Sequence, residues 1–279
     1  LKRRYPDIPL DWLIEEEAAP LVEGHPAIAD FVVSGRRRWL RALRRPAEMA
    51  GALREMRAFA ARLRGRYDAV LDLQGLLKSA LYVVAARAPV RVGLADGREG
   101  STRVLTHRVP VPPQPVHAVE RYLALATAVD AAEAVREFRI PLTDADRAAA
   151  RHALADLPRP WVVLHPAARW ETKLWEIDGW RGLAGALTSE GAGVVLTGSG
   201  TDAPLVERIL HGLDPAPRSL TGRLPLKALA ALLEAADCMV TVDSGPMHIA
   251  AAVGTSVVAL FGSTDPRRTG PLGPGIVLR

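Results

Sequence analysis

Short apolar runs alternate along this chain with longer stretches rich in Ala, Leu, Arg and Glu. The apolar runs predict strands at 10–14, 30–33, 69–73, 90–93, 161–165, 193–197, 238–242 and 256–261. The stretches between them predict helices over 46–65, 75–87, 115–130, 143–156, 176–190, 202–211, 225–236 and 246–253. Strands that read as continuous apolar runs, each followed by a helix, belong to parallel sheets covered on both faces. The fold class expected is therefore α/β.

The pattern changes character twice. Residues 94–114 are irregular and rich in Gly, Pro and Thr, and Pro158 and Pro160 break a helix just before the apolar run at Trp161. These breaks predict two domains, 1–145 and 146–279, with a cleft between them and ligands at the carboxyl ends of strands.

Composition narrows the class. The chain has 279 residues, 49% hydrophobic and 24% charged, the profile of a globular protein. No apolar run approaches the roughly 20 residues of a membrane-spanning helix. The single cysteine, Cys238, lies in an apolar stretch and reads as a buried, inert thiol, which fits a reducing compartment; no His/Cys group has metal-ligand spacing. Net charge is +5, but residues 36–66 hold eleven Arg against two Glu, so the rest of the chain sums to −4. Such a concentrated basic segment points to an acidic partner: phosphorylated lipid, an anionic membrane face or nucleic acid. Against nucleic acid, aromatic residues are only 5% and no nucleic-acid-binding motif appears.

Five segments carry candidate chemistry. Val242-Asp243-Ser244-Gly245-Pro246-Met247-His248 passes from strand to helix, where backbone N–H groups attract anions; plain capping by Asp243 or Ser244 fits the same pattern. His165-Pro166-Ala167-Ala168-Arg169-Trp170-Glu171-Thr172-Lys173 is a loop in which Lys173 suits a phosphate and Arg169 can grip one bidentately; a solvated loop with its Trp residues against the other domain is the alternative. Thr197-Gly198-Ser199-Gly200-Thr201-Asp202 lets a ligand approach the backbone, with Asp202 a ribose contact or a helix cap. In Asp72-Leu73-Gln74-Gly75-Leu76-Leu77-Lys78, the cation of Lys78 opposes the helix dipole, which hints at an anionic ligand. In His117-Ala118-Val119-Glu120-Arg121, Arg121 faces a cleft or pairs near Glu120.

Together with Phe261-Gly262-Ser263-Thr264-Asp265-Pro266, four of these segments, all but 197–202, occur in the order found in the lipopolysaccharide heptosyltransferases of glycosyltransferase family 9, which the chain resembles, the type I enzymes most. The resemblance implies a GT-B type fold, two Rossmann-like α/β domains facing a central cleft, with the first strand of the N-terminal domain lacking here. It implies inverting transfer of heptose from ADP-heptose to Kdo-lipid A with no metal or cofactor, by a cytoplasmic monomer peripheral to the inner face of the inner membrane. By matching position, Lys173, Asp202, Leu224, Asp243, Ser244, Gly245 and His248 are expected to bind the donor, with Lys173 also acting on the leaving diphosphate. Lys78 and Arg121 are expected to meet the acidic acceptor, while segment 36–66 steers a charged head group and holds an anionic membrane surface. The family's general base sits in a Ser-Leu-Gly-Asp-type loop. Neither Asp7 nor Asp11 stands in such a motif, so the base falls on no residue here, and the chain is expected to bind donor better than it catalyses. Two alternatives stay open: another enzyme of this architecture using a UDP-sugar, and a donor-binding form without activity.

Overall fold

The computed structural model describes residues 1–279 apart from 112, 114, 115 and 132–134, so the first position of the helix expected over 115–130 lies outside the described residues. The chain divides into two compact units. The first comprises Leu1–Ala19 and Pro26–Arg136, the second Pro20–His25 and Glu137–Arg279. The division falls at Arg136, upstream of residue 145, because Ile140 and Leu142 already pack on the second unit's core.

In the first unit the order is β1 (Asp11–Glu15), α1 (Ala19–Val22), β2 (Asp30–Ser34), α2 (Arg36–Ala42), α3 (Pro46–Leu63), β3 (Ala69–Asp72), α4 (Leu77–Ala86), β4 (Val90–Leu94), β5 (His107–Val109) and α5 (Ala118–Thr127). Most of α1 belongs with the second unit. The strands form two parallel sheets, β1–β2 and β3–β4–β5. Trp39, Phe59 and Tyr82 pack edge to face in sequence, with ring centroids 5.3 and 5.7 Å apart, and tie α2, α3 and α4 together.

In the second unit the order is α6 (Asp144–Leu154), β6 (Trp161–His165), α7 (Ile177–Ser189), β7 (Gly193–Leu196), α8 (Ala203–Leu210), β8 (Arg218–Ser219), α9 (Leu226–Ala235), β9 (Cys238–Val242), α10 (Gly245–Val253), β10 (Ser256–Leu260), α11 (Pro266–Thr269) and β11 (Gly275–Leu278). One parallel sheet runs β11-β10-β9-β6-β7-β8. Every residue of β6 is buried, and the side chains alternate between two cores. Trp161 and Val163 enter the core shared with α9 and α10, and Val162 and Leu164 enter the core shared with α7 and α8. This two-sided burial is why the sequence shows an unbroken apolar run rather than alternation.

The eight predicted strands and eight predicted helices all form. The additional elements α1, α2, β5, β8, α11 and β11 are short or polar, or both, and carry weak periodic signals. Cys238 departs from expectation: it is only partly buried, though that burial and nearby Asp237 push its thiol pKa up. Among the described residues, no helix is long and apolar enough to cross a membrane.

Leu164 is fully buried in the strand at the middle of the sheet. Leu164→Ala is expected to lower the unfolding free energy of the second unit by about 2–5 kcal/mol, read as an earlier urea midpoint with the slope unchanged.

Candidate active site

From β6 the chain crosses to β7 and β8 on one side, then returns to lay β9, β10 and β11 on the other. Such a reversal opens a crevice beyond the carboxyl ends of the two strands at the switch point, here β6 and β9. A cavity of about 680 Å³ lies there, lined from the segments that follow β6, β7, β8 and β9. Lys173, Asp202, Leu224, Asp243, Ser244, Gly245 and His248 all line it.

Its polar centre is an ion pair. Lys173 Nζ stands 2.7 Å from Asp243 Oδ2, and Thr264 Oγ1 donates to the same oxygen at 2.7 Å. Asp243 is 5% exposed, so its carboxylate requires these partners, and the loop after β6 is thereby drawn to the end of β9. An ammonium has three donors, so Lys173 can hold Asp243 and still meet an anion. Capping does not explain this segment: α10 begins without a side-chain cap, and the Ser244 hydroxyl instead lies 3.1 Å from Thr241 Oγ1. Gly245, at the first position of this uncapped helix start, lines the cavity, a standard setting for anions. A Cβ built at Gly245 meets nothing within 4 Å, so packing inside the protein does not demand glycine there.

The β7 side is set by Asp202. Its Oδ2 accepts from the amide and hydroxyl of Ser199 at 2.7 and 2.6 Å and so closes the turn before α8, which itself starts without a side-chain cap; the residue also lines the cavity. Gly198 lines the cavity and is also demanded by the protein's own packing: an added Cβ meets Asp202 at 3.1 Å and Thr221 at 3.2 Å. Leu224, Leu226 and Leu229 supply an apolar wall. Trp175 packs edge to face on Trp180, with ring centroids 5.3 Å apart. Arg169 stacks over Trp170 at 5.4 Å, and Trp170 is 60% exposed.

Sequence reasoning gave no role to His165, Thr197 or Thr264. His165 ends β6 inside the cavity wall, with its Nδ1 3.0 Å from Thr197 Oγ1. Burial pushes its pKa down to about 4, although the carboxylate of Asp202 pulls the other way. The available signal was a histidine closing an otherwise wholly apolar strand.

In the first unit, buried Asp72 accepts from the amides of Gln74 and Gly75 and from Ser79 Oγ, which fixes the turn that presents Lys78 near the start of α4. Lys78 lies 3.9 Å from Glu15, a carboxylate that also gathers Arg36 and Arg37. Arg121 is bound to both oxygens of Asp96 at 2.9 and 2.8 Å, while Glu120 is taken by Arg136. Asp11 is paired with Arg66 and hydrogen-bonded by Tyr67. The basic segment is partly neutralised at home. Arg36, Arg37, Arg38, Arg45 and Arg66 have carboxylate partners, whereas Arg41, Arg44, Arg54, Arg57, Arg62 and Arg64 have none among the described residues.

The family model for "Glycosyltransferase family 9 (heptosyltransferase)" matches residues 56–278. The chain belongs to this family. Lipopolysaccharide heptosyltransferase 1 of Pseudomonas aeruginosa is 35% identical over 97% of this chain and 75% of its own length. The corresponding enzyme of Escherichia coli K12 is 31% identical over 96% of this chain and 82% of its own. The structure of E. coli heptosyltransferase WaaC with ADP superposes with a TM-score of 0.77 at 29% identity, covering 99% of this chain and 85% of that one. The GT-B type expected from the sequence is thus the fold of the heptosyltransferases, and this member of family 9 is a glycosyltransferase by descent.

The depressed pKa of His165 makes a stability prediction. Between its ordinary value of 6.5 and its folded value of about 4, the unfolded chain binds a proton that the folded chain does not. The stabilisation is complete above about pH 6.5 and is lost as pH falls to about 4. From pH 7 to pH 4 the wild type should lose on the order of 3 kcal/mol more stability than His165→Gln, read by urea unfolding across that range.

Proposed function

We propose that this chain transfers heptose from ADP-heptose to the Kdo-modified lipid A inner core of lipopolysaccharide, with inversion at the anomeric carbon. One observation carries the reading: the seven residues matched to the family's donor site come from separate loops and line a single cavity at the switch point of the second unit's sheet. Lys173, Ser244, Gly245 and the opening amides of α10 take the diphosphate, His248 stands beside the sugar, Asp202 offers its Oδ1 to ribose, and Leu224 bounds the adenine. As the glycosidic bond breaks, negative charge builds on the departing ADP, and Lys173 stabilises it from a position fixed in advance by Asp243.

The acceptor belongs to the first unit in this reading. Lys78 and Arg121 meet its carboxylate and phosphate groups, each exchanging or sharing its present carboxylate partner. The unpaired arginines of α2 and α3 attract the same anionic lipid and hold the enzyme, as a monomer, at an anionic membrane surface on the cytoplasmic side. No described residue is assigned as the base that removes the acceptor hydroxyl proton, a step worth about 10²–10⁴-fold where it operates.

Calorimetric titration with ADP, UDP and GDP is expected to show selective ADP binding that weakens in Asp243→Ala; equal or absent binding in a folded sample contradicts the donor assignment. Lys173→Ala is expected to slow donor turnover by about 10²–10³-fold with the folded fraction held equal, and unchanged turnover removes Lys173 from the chemistry.

A further inference from the structure

His165 is a buried, uncharged hydrogen-bonding group with one nitrogen to spare. Its Nδ1 is engaged by Thr197. Its Nε2 has no hydrogen bond among the described residues, yet it is not one of the enclosed polar atoms left without a hydrogen bond, which are Glu15 Oε2, Ser101 Oγ, Trp180 Nε1 and Arg181 Nε. Nε2 therefore opens onto the cavity that the ring lines.

Sheet order says what lies in front of it. Across the carboxyl ends, β9 presents the Lys173–Asp243 pair, β6 presents His165, β7 leads to Asp202, and β8 leads to Leu224. Neighbouring strands lie about 4.8 Å apart, so these positions span about 14 Å, the scale of an extended nucleoside diphosphate. With the diphosphate over β9 and the base toward β8, the ribose lies over the ends of β6 and β7. We propose that His165, through Nε2, hydrogen-bonds a ribose hydroxyl of the donor nucleotide, and that Thr197 fixes the ring for that contact. This rests on the donor-site reading above.

The ring's chemistry agrees. Its pKa of about 4 keeps the imidazole neutral at working pH, so it presents one polar nitrogen rather than a second positive charge beside Lys173. A neutral group suits a hydroxyl, and a site built to bond a hydroxyl discriminates against a ligand lacking it because the buried group is left unmatched. Thr197 Oγ1 lies 3.5 Å from the Leu164 carbonyl as well as 3.0 Å from Nδ1; if its proton turns to that carbonyl, Nδ1 donates to Thr197 and Nε2 becomes the acceptor for the ribose O–H.

The test compares dissociation constants of ADP, 2′-deoxy-ADP and 3′-deoxy-ADP for wild type and His165→Phe by calorimetry. In the wild type, one deoxy analogue should bind about threefold to tenfold more weakly than ADP, and in His165→Phe that penalty should vanish. A penalty of equal size in both proteins, or no penalty in the wild type, overturns the proposal. Should His165→Phe not fold, imidazole ¹⁵N resonances of the wild type decide: the His165 Nε2 signal should move with ADP and move less with the weaker analogue, whereas equal movement, or none, overturns it. Failure of the donor reading looks different, because ADP itself then does not bind or binds Asp243→Ala unchanged.

Discussion

A carboxylate buried at the end of a parallel strand must be matched by a cation and by hydrogen bonds, or it destabilises the fold by several kcal/mol. Asp243 is such a carboxylate, and Lys173 with Thr264 is the match. This one requirement organises the second unit's site. It brings the loop after β6 to the mouth of β9, places an ammonium beside the uncapped start of α10, and ties in the loop after β10 that carries Thr264. Nearby, Asp265 caps α11, with its pKa drawn down to about 2 by the Arg267 side chain and amide. The cation is fixed by the fold's own carboxylate, which is the preorganisation that the proposed stabilisation of a leaving diphosphate requires.

The first unit treats charge differently. Arg36, Arg37 and Arg38 are answered by Glu15, Glu16 and Glu17, whereas the arginines farther along α2 and α3 are left to solvent. The first group is a structural lattice. The second is a solvent-facing positive surface whose attraction for anions is longer in range and screened by salt. A count of arginines in the sequence merges the two because it cannot see that a run of glutamates some twenty positions earlier folds onto them.

The fold of the second unit was legible because its central strands are largely buried: β6, β7, β9 and β10 are mostly apolar runs separated by stretches of helical character. Elements such as β8 and β5 gave little signal because a pair or trio of residues holding a sheet edge needs no apolar side chains. In the site, Lys173, Asp243 and Ser244 were legible as polar residues at strand-to-helix turns. Which of them touched was not, since the Lys173–Asp243 contact joins loops seventy residues apart and depends on strand order. His165 was overlooked for a related reason: only the sheet order, with β6 between β9 and β7, puts the last residue of that strand in the middle of the cavity.

The central claim is that Lys173 and Asp243 work as one unit in holding a nucleoside diphosphate. Affinity for ADP measured on wild type, Lys173→Met, Asp243→Asn and the double variant tests it most directly. Coupling predicts that each single change weakens binding and that the double variant is little weaker than the worse single one. Two losses that multiply, or a single variant that binds ADP as tightly as the wild type, would contradict it.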